Sequence, residues 1–212
     1  MNLLVKIGEA VKVRESGKLA DSRKLFELLL KNVDPNNPEY VRLMGEYVIQ
    51  LRLESKEMAS EALKLGQELM TKHPSEPAAI RALAHSLTDL GGFELAEPFF
   101  HKMINSYADN SLKKGEEQAH LAYVYLRIGK VASALELIDE SIGNIEKNTA
   151  NEDYVEIRES YAYFVKSLVE RAVGKTVNAK QSAVKAMEIA KRGKAVFRIN
   201  QARELIKLFE SE

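Results

Sequence analysis

Apolar residues recur along this chain at intervals of three and four positions, which is the spacing of one face of an α-helix. Ile80, Leu83, Ala84 and Leu87 follow this spacing, and the stripe ends at Gly91, a residue typical of turns. No run alternates apolar and polar residues over enough positions to indicate a half-buried strand. The pattern therefore predicts an all-α chain of about ten or eleven helices joined by short turns.

The predicted helix boundaries share turn-forming residues. They lie at Gly17, residues 34–38, residues 73–77, Gly91, residues 108–111, Gly129, Gly143 with Asn144, Gly174 and Gly193. Thr149 and Glu152 have the spacing of a capping box, which is typical of a helix start. Because no long segment rich in proline, glycine or serine separates the helices, residues 1–212 are predicted to form a single domain.

Two neighbouring stretches repeat one plan, in which a helix, a glycine turn and a second helix follow each other. The matching positions are Ala84, Gly91 and Ala96 in the first stretch and Ala122, Gly129 and Ala134 in the second. The alanines fall where two paired helices approach closely, and large apolar residues fill the space beside them. Self-similarity with a period of roughly 30–40 residues is typical of helical repeat arrays.

On these positions, residues 77–142 resemble the tetratricopeptide repeat (TPR) family, and weaker matches cover nearly the whole chain. One departure is Ser22, which stands where the family usually has alanine. The resemblance implies a right-handed superhelical array of about five antiparallel helix pairs, with the stripe from Val196 to Phe209 as a C-terminal capping helix. It also implies a function in holding another protein, because the first helices of such pairs line a concave groove.

Carried over position by position, the resemblance places eight side chains in that groove. They are Arg42, Glu46, Gln50, Arg81, His85, Asp89, Tyr123 and Arg127. Arginine forms forked hydrogen bonds with carboxylates, so this set suits an extended or helical partner segment with acidic residues. The leading prediction is a protein–protein interaction module, or adaptor, that binds a peptide or helix of a partner protein.

Charge is balanced over the whole chain, with 31 basic and 31 acidic residues, so nothing global favours nucleic acid or a membrane surface. The segment 171–207 is an exception, with ten basic residues and two acidic ones. A docking patch is predicted there at Lys185, Lys191, Arg192, Lys194 and Arg198. The alternative function is therefore a nucleic-acid-binding or regulatory factor that uses these C-terminal helices.

No motif for catalysis or nucleotide binding occurs in the chain. Cysteine is absent and the four histidines lie far apart, so we predict no enzyme activity, no cofactor and no metal site. No segment approaches the roughly 18 apolar residues of a membrane span. Charged residues interrupt the apolar N-terminus early, unlike a secretory signal, so the sequence predicts a cytoplasmic protein without membrane insertion.

Overall fold

A computed structural model describes residues 2–107, 110–147 and 155–210, apart from the side chains of residues 56 and 57. These ranges contain eleven helices and no strand, which confirms the all-α prediction. The helices are α1 (Leu3–Glu15), α2 (Leu19–Asn32), α3 (Tyr40–Glu54), α4 (Lys56–Lys72), α5 (Pro77–Asp89), α6 (Phe93–Ser106), α7 (Ser111–Arg127), α8 (Val131–Glu146), α9 (Val155–Ala172), α10 (Thr176–Arg192) and α11 (Val196–Glu210).

Consecutive helices pack as pairs joined by short connections. Helix α1 packs against α2, α3 against α4, α7 against α8 and α9 against α10. Because the connections are short, the two helices of a pair run antiparallel. The first helix of one pair also packs on the first helix of the next, as α3 does on α5 and α7 does on α9. This arrangement confirms a helical repeat array, whereas the right-handed superhelix and the number of pairs stay predictions.

Four connections within pairs are built in the same way around a glycine with φ between 77° and 86°. These glycines are Gly17, Gly91, Gly129 and Gly174. At Gly129, the next N–H group, that of Lys130, donates to the Tyr125 carbonyl at 2.8 Å and closes the end of α7. Side chains other than hydrogen are disfavoured in this left-handed region, which explains why glycine marks these boundaries in the sequence.

The predicted boundary at Gly143 and Asn144 is wrong, because α8 continues through both residues to Glu146. The Asn144 amide Nδ2 donates to Gln118 Oε1 on α7 at 2.7 Å, and this pair is buried between the two helices. Asn144 therefore serves an interhelical contact and does not end the helix. The capping box predicted from Thr149 and Glu152 lies outside the described residues.

Serine and glycine occupy close contacts between paired helices. The fully buried Ser22 donates from Oγ to the Ala10 carbonyl at 2.8 Å, so the departure from alanine adds a hydrogen bond across α1 and α2. Ser141 makes the same kind of bond to the Gly115 carbonyl at 2.6 Å. A Cβ atom on Gly115 would lie 2.8 Å from Ile145 Cγ1, so glycine allows α7 and α8 to meet there.

The chain divides into two compact units, Met1–Phe99 and Phe100–Glu212, here called the first and the second unit. Buried side chains of the first unit form clusters, of which one contains Ile7, Ala10, Phe26 and Leu43 and another Val48, Leu51, Ala62, Leu69, Ala79 and Ala82. The main core of the second unit includes Leu112, Ala122, Ala134, Ile138, Val165 and Ile189. The single domain over 1–212 stays a prediction.

Candidate protein-binding surfaces

Polar side chains on the first helices of the first unit bind one another. Glu46 on α3 accepts from Arg14 Nη1 on α1 at 3.0 Å, and its other carboxylate oxygen lies 4.0 Å from Arg81 Nη1 on α5. Asp89 on α5 accepts from Nε and Nη2 of Arg52 on α3, at 2.6 and 3.1 Å. Glu46, Arg81 and Asp89, all predicted to line the groove, thus also link neighbouring helix pairs.

Two of the predicted groove residues are buried, which corrects their assignment. Gln50 has no exposed surface, because its Nε2 reaches the Leu19 carbonyl of α2 at 2.8 Å. His85 is 3% exposed and lies in a run of buried residues from Ala82 to Ser86. The small alanines of α5 let neighbouring elements approach on more than one side, so this helix has no wide solvent face at His85. In this unit, Arg42 is the predicted groove arginine whose side chain is exposed.

Tyr123 and Arg127 form a linked pair on α7 of the second unit. Arg127 Nη1 donates to the Tyr123 hydroxyl at 2.8 Å, and the guanidinium carbon lies 5.7 Å from the centroid of the Tyr123 ring. Arg127 is exposed, whereas Tyr123 is half-buried and rests on the core. Tyr123 therefore packs against the core with its ring, and its hydroxyl holds the exposed Arg127 side chain in place.

A row of rings that sequence reasoning did not identify runs from α6 across α7 to α9 in the second unit. The His120 ring on α7 lies between Phe100 and Tyr161, with ring centroids 6.0 and 4.2 Å away. Tyr161 is followed on α9 by Phe164, at a centroid distance of 6.3 Å. The guanidinium carbon of Arg198, from α11, lies 4.3 Å from the Tyr161 centroid. The sequence alone does not predict these ring contacts of His120, because the neighbouring rings come from other helices.

An open cleft of about 420 Å³ lies between α9 and α11 in the second unit. It is lined by Phe164 and Leu168 of α9 and by Phe197, Asn200, Gln201, Glu204, Leu205 and Leu208 of α11. Leu208 is 49% exposed at its edge. The sequence predicted the apolar stripe from Val196 to Phe209, but only the packing of α9 and α11 decides that a cleft lies between these two helices.

The charge of Lys185, a member of the predicted basic patch, is engaged within the chain. The lysine Nζ donates to the Tyr163 hydroxyl, which in turn donates to Glu146 Oε1 at 3.0 Å. The hydrogen bond to Tyr163 raises the pKa of Lys185, and burial raises the pKa of the Tyr163 phenol. Both groups therefore keep their ordinary protonation states at neutral pH, with the ammonium charge bound beside Glu146.

The other four members of the predicted patch differ in their surroundings. Arg192 Nη2 lies 3.9 Å from Glu159, whose carboxyl pKa is raised by burial. Arg198 donates to Gln201, which lines the cleft. Lys191 and Lys194 are exposed. Lys185, Arg192 and Arg198 thus contact other side chains of the protein, and Lys191, Arg192 and Lys194 are exposed.

Metal-binding and membrane-spanning features were also sought within the described ranges. These ranges contain no group of three histidine, aspartate or glutamate side chains that could hold a metal ion. In the same part of the chain, no helix combines the length and apolar character needed to cross a membrane.

No family model matches this sequence, and no curated protein matches it. Solved structures do resemble it. A Podosopora anserina protein with nearly identical TPR-like repeats, described as a kinesin light chain, has a TM-score of 0.57 and 19% identity, over 90% of this chain and 96% of that chain. MamA from Desulfovibrio magneticus RS-1 has a TM-score of 0.54 and 9% identity, over 90% and 96% of the two chains. A further MamA structure has a TM-score of 0.52 and 17% identity, over 86% and 95%. At these identities the likeness concerns the fold, and this chain has the fold of the TPR-like helical repeat proteins.

Proposed function

We propose that this chain is a protein-binding module that holds a peptide or a helix of a partner protein against its first helices. The observation that carries the proposal is the Tyr123–Arg127 pair on α7, with its 2.8 Å hydrogen bond and exposed guanidinium. Tyrosine and arginine are enriched among the residues that contribute most to protein interfaces. The helical repeat fold supports the proposal as well, because it presents a series of first-helix faces.

The pair suits a partner segment in which a carboxylate lies next to an apolar residue. The hydrogen bond to Tyr123 restricts the rotamers of Arg127, so less side-chain entropy is lost when the guanidinium binds a carboxylate. The ring offers a rigid apolar surface beside it. In the first unit, the exposed Arg42 on α3 is proposed to make the corresponding contact. The proposed activity is binding alone, without a reaction or a cofactor.

The proposal is tested by affinity capture from the source cells after nuclease treatment, with recovered proteins quantified by mass spectrometry. The tested variant is Arg127→Glu, and the control is Lys64→Glu, which makes the same charge change at an exposed position of the second helix α4. We expect recovery of specific partners to fall about tenfold with Arg127→Glu, the size of effect typical of an interface hot spot. Recovery should be unchanged with Lys64→Glu.

Equal recovery by the wild type and both variants would remove the α7 face from the proposal. A recovery that collapses on nuclease treatment would instead favour the nucleic-acid-binding alternative. Far-UV circular dichroism and thermal unfolding of all three proteins establish that the substitutions leave the fold intact.

A further inference from the structure

We infer that the cleft between α9 and α11 is a docking site for an acidic amphipathic helix of a partner protein. The inference rests on the proposed function, since it takes the occupant to be a protein segment. It extends the proposed surface to the first helix α9 and to α11, and it adds the chemistry of the partner. None of the residues lining this cleft belongs to the groove predicted from the sequence.

The shape of the cleft fits a helix better than a compact ligand. Its α11 wall runs from Phe197 to Leu208, eleven residues apart, which corresponds to about 16 Å or three helical turns. The α9 wall presents Phe164 and Leu168, one turn apart, against it. An elongated apolar groove of this kind accepts a helix whose large apolar residues recur at i, i+3 or i+4, and i+7.

The rim of the cleft selects the charge of the occupant. Each of its three polar lining residues accepts a hydrogen bond from a basic side chain of α11. The bonds join Arg203 to Asn200 at 3.0 Å, Arg198 to Gln201 at 2.7 Å and Lys207 to Glu204 at 2.8 Å. Three cations and one carboxylate leave this rim with a net charge of +2 (3 − 1). A partner helix with acidic residues beside its apolar face complements this rim.

The lining favours apolar side chains over stacked bases. Three of its five apolar residues are aliphatic (Leu168, Leu205 and Leu208), whereas single-stranded nucleic acids bind mainly through aromatic faces on which bases stack. Of the two aromatic residues, Phe164 is half-buried beside Tyr161, at a ring-centroid distance of 6.3 Å. Phe197 is half-buried, and the guanidinium carbon of Arg198 lies 5.6 Å from its ring centroid. The lining therefore favours a protein segment as the occupant, and the cationic rim then favours acidic side chains on that segment.

The test uses the full chain and a library of phage-displayed, helix-forming peptides of about 14 residues, or four turns. Every position of these peptides that faces outward from the scaffold helix is varied among apolar and charged residues. We expect enrichment of peptides with large apolar residues at i, i+4 and i+7 flanked by aspartate or glutamate. The most enriched peptide is then synthesised with a fluorescent label, and its affinity is measured by anisotropy.

Leu208→Glu places a charge at the edge of the cleft and should weaken this peptide at least tenfold, an effect of hot-spot size. Val177→Glu is the matched control, because Val177 is 72% exposed on α10 of the same unit. It should leave the affinity unchanged. Circular dichroism and thermal unfolding of both variants establish that they fold like the wild type.

The charge of the rim is tested separately with Arg203→Glu combined with Lys207→Glu. This variant should also weaken the peptide about tenfold, because two favourable ion pairs become repulsive. Lys180→Glu combined with Lys191→Glu makes the same net change on exposed positions of α10. It should change the affinity less than about twofold, because salt screens the interaction of distant exposed charges with the peptide. A peptide with lysine in place of its acidic residues should not bind.

Several results would overturn the inference. One is enrichment of basic or uncharged peptides, and another is a peptide affinity that Leu208→Glu leaves unchanged. A third is a concentration-dependent dimer in sedimentation that Leu208→Glu dissociates, because the occupant of the cleft would then be a second copy of this chain. If peptide binding is lost with Arg127→Glu but kept with Leu208→Glu, the cleft is not the docking site, whereas the proposed function still holds. Absence of any enriched peptide and of any captured partner would remove both.

Discussion

At the residue scale, the turn after α10 has a lysine where four other turns have glycine. Lys194 adopts φ = 54°, and the N–H groups of Lys194 and Ala195 donate to carbonyls of the last turn of α10, as in the glycine turns. Gly193 precedes it, and a Cβ atom there would lie 2.8 Å from Glu156 Cβ. The glycine seen in the sequence therefore allows a close contact, whereas Lys194 adopts the left-handed conformation.

This arrangement predicts that Lys194→Gly stabilises the protein. The left-handed conformation costs a non-glycine residue about 1–2 kcal/mol, and part of the gain is offset because glycine is more flexible in the unfolded chain. We expect the free energy of unfolding to rise by about 0.5–1 kcal/mol in urea titrations.

Gly129→Ala is the matched control for this prediction, because a Cβ atom there meets no other atom within 4 Å and the effect is purely conformational. It should lower the free energy of unfolding by about 1 kcal/mol. A loss of stability in Lys194→Gly would show that the lysine side chain contributes more than its backbone strain costs.

At the scale of elements, first helices of neighbouring pairs in the first unit are joined by ion pairs as well as by apolar packing. The Arg52–Asp89 pair between α3 and α5 is forked, with two N–O distances of 2.6 and 3.1 Å. The Arg52 side chain is only 10% exposed, so water screens this pair less than an ordinary surface pair.

A double-mutant cycle with Arg52→Ala and Asp89→Ala should therefore give a coupling energy of about 1 kcal/mol, at the upper end for pairs near a surface. The comparison pair is Lys207–Glu204 within α11, whose side chains are 59% and 69% exposed. Its coupling energy should not exceed about 0.3 kcal/mol. Equal coupling in the two cycles, measured by chemical unfolding, would mean that the forked geometry adds nothing to the contact between helix pairs.

At the scale of the whole molecule, the formal net charge is zero and the basic segment 171–207 is partly engaged by the chain itself. Lys185 is bound next to Glu146, and Arg192 lies next to Glu159. The exposed Lys191 and Lys194 offer few contacts to phosphates, and each contact contributes a salt-sensitive increment to nucleic-acid binding.

We therefore expect the protein to elute from immobilised single-stranded DNA before the ionic strength reaches about 0.15 M. Retention above this ionic strength that disappears in the double variant Lys191→Ala with Lys194→Ala would contradict this expectation. It would favour the alternative function over the protein-binding module.

Much of the fold could be predicted from local sequence, because helix periodicity and glycine turns depend on residues close together in the chain. The apolar stripes and Gly17, Gly91, Gly129 and Gly174 predicted helices and turns that the structure confirms. The boundary at Gly143 failed because the partner of its neighbour Asn144 is Gln118 on another helix.

The candidate sites depended far more on tertiary structure. Glu46, Gln50 and Asp89 lie on α3 and α5, but ion pairs and burial by other helices decide how much of each side chain is exposed. The local sequence was sufficient to predict an all-α chain built as a helical repeat. Only the tertiary structure decided which polar groups bind each other and where α9 and α11 leave a cleft, because these contacts join side chains that are distant along the chain.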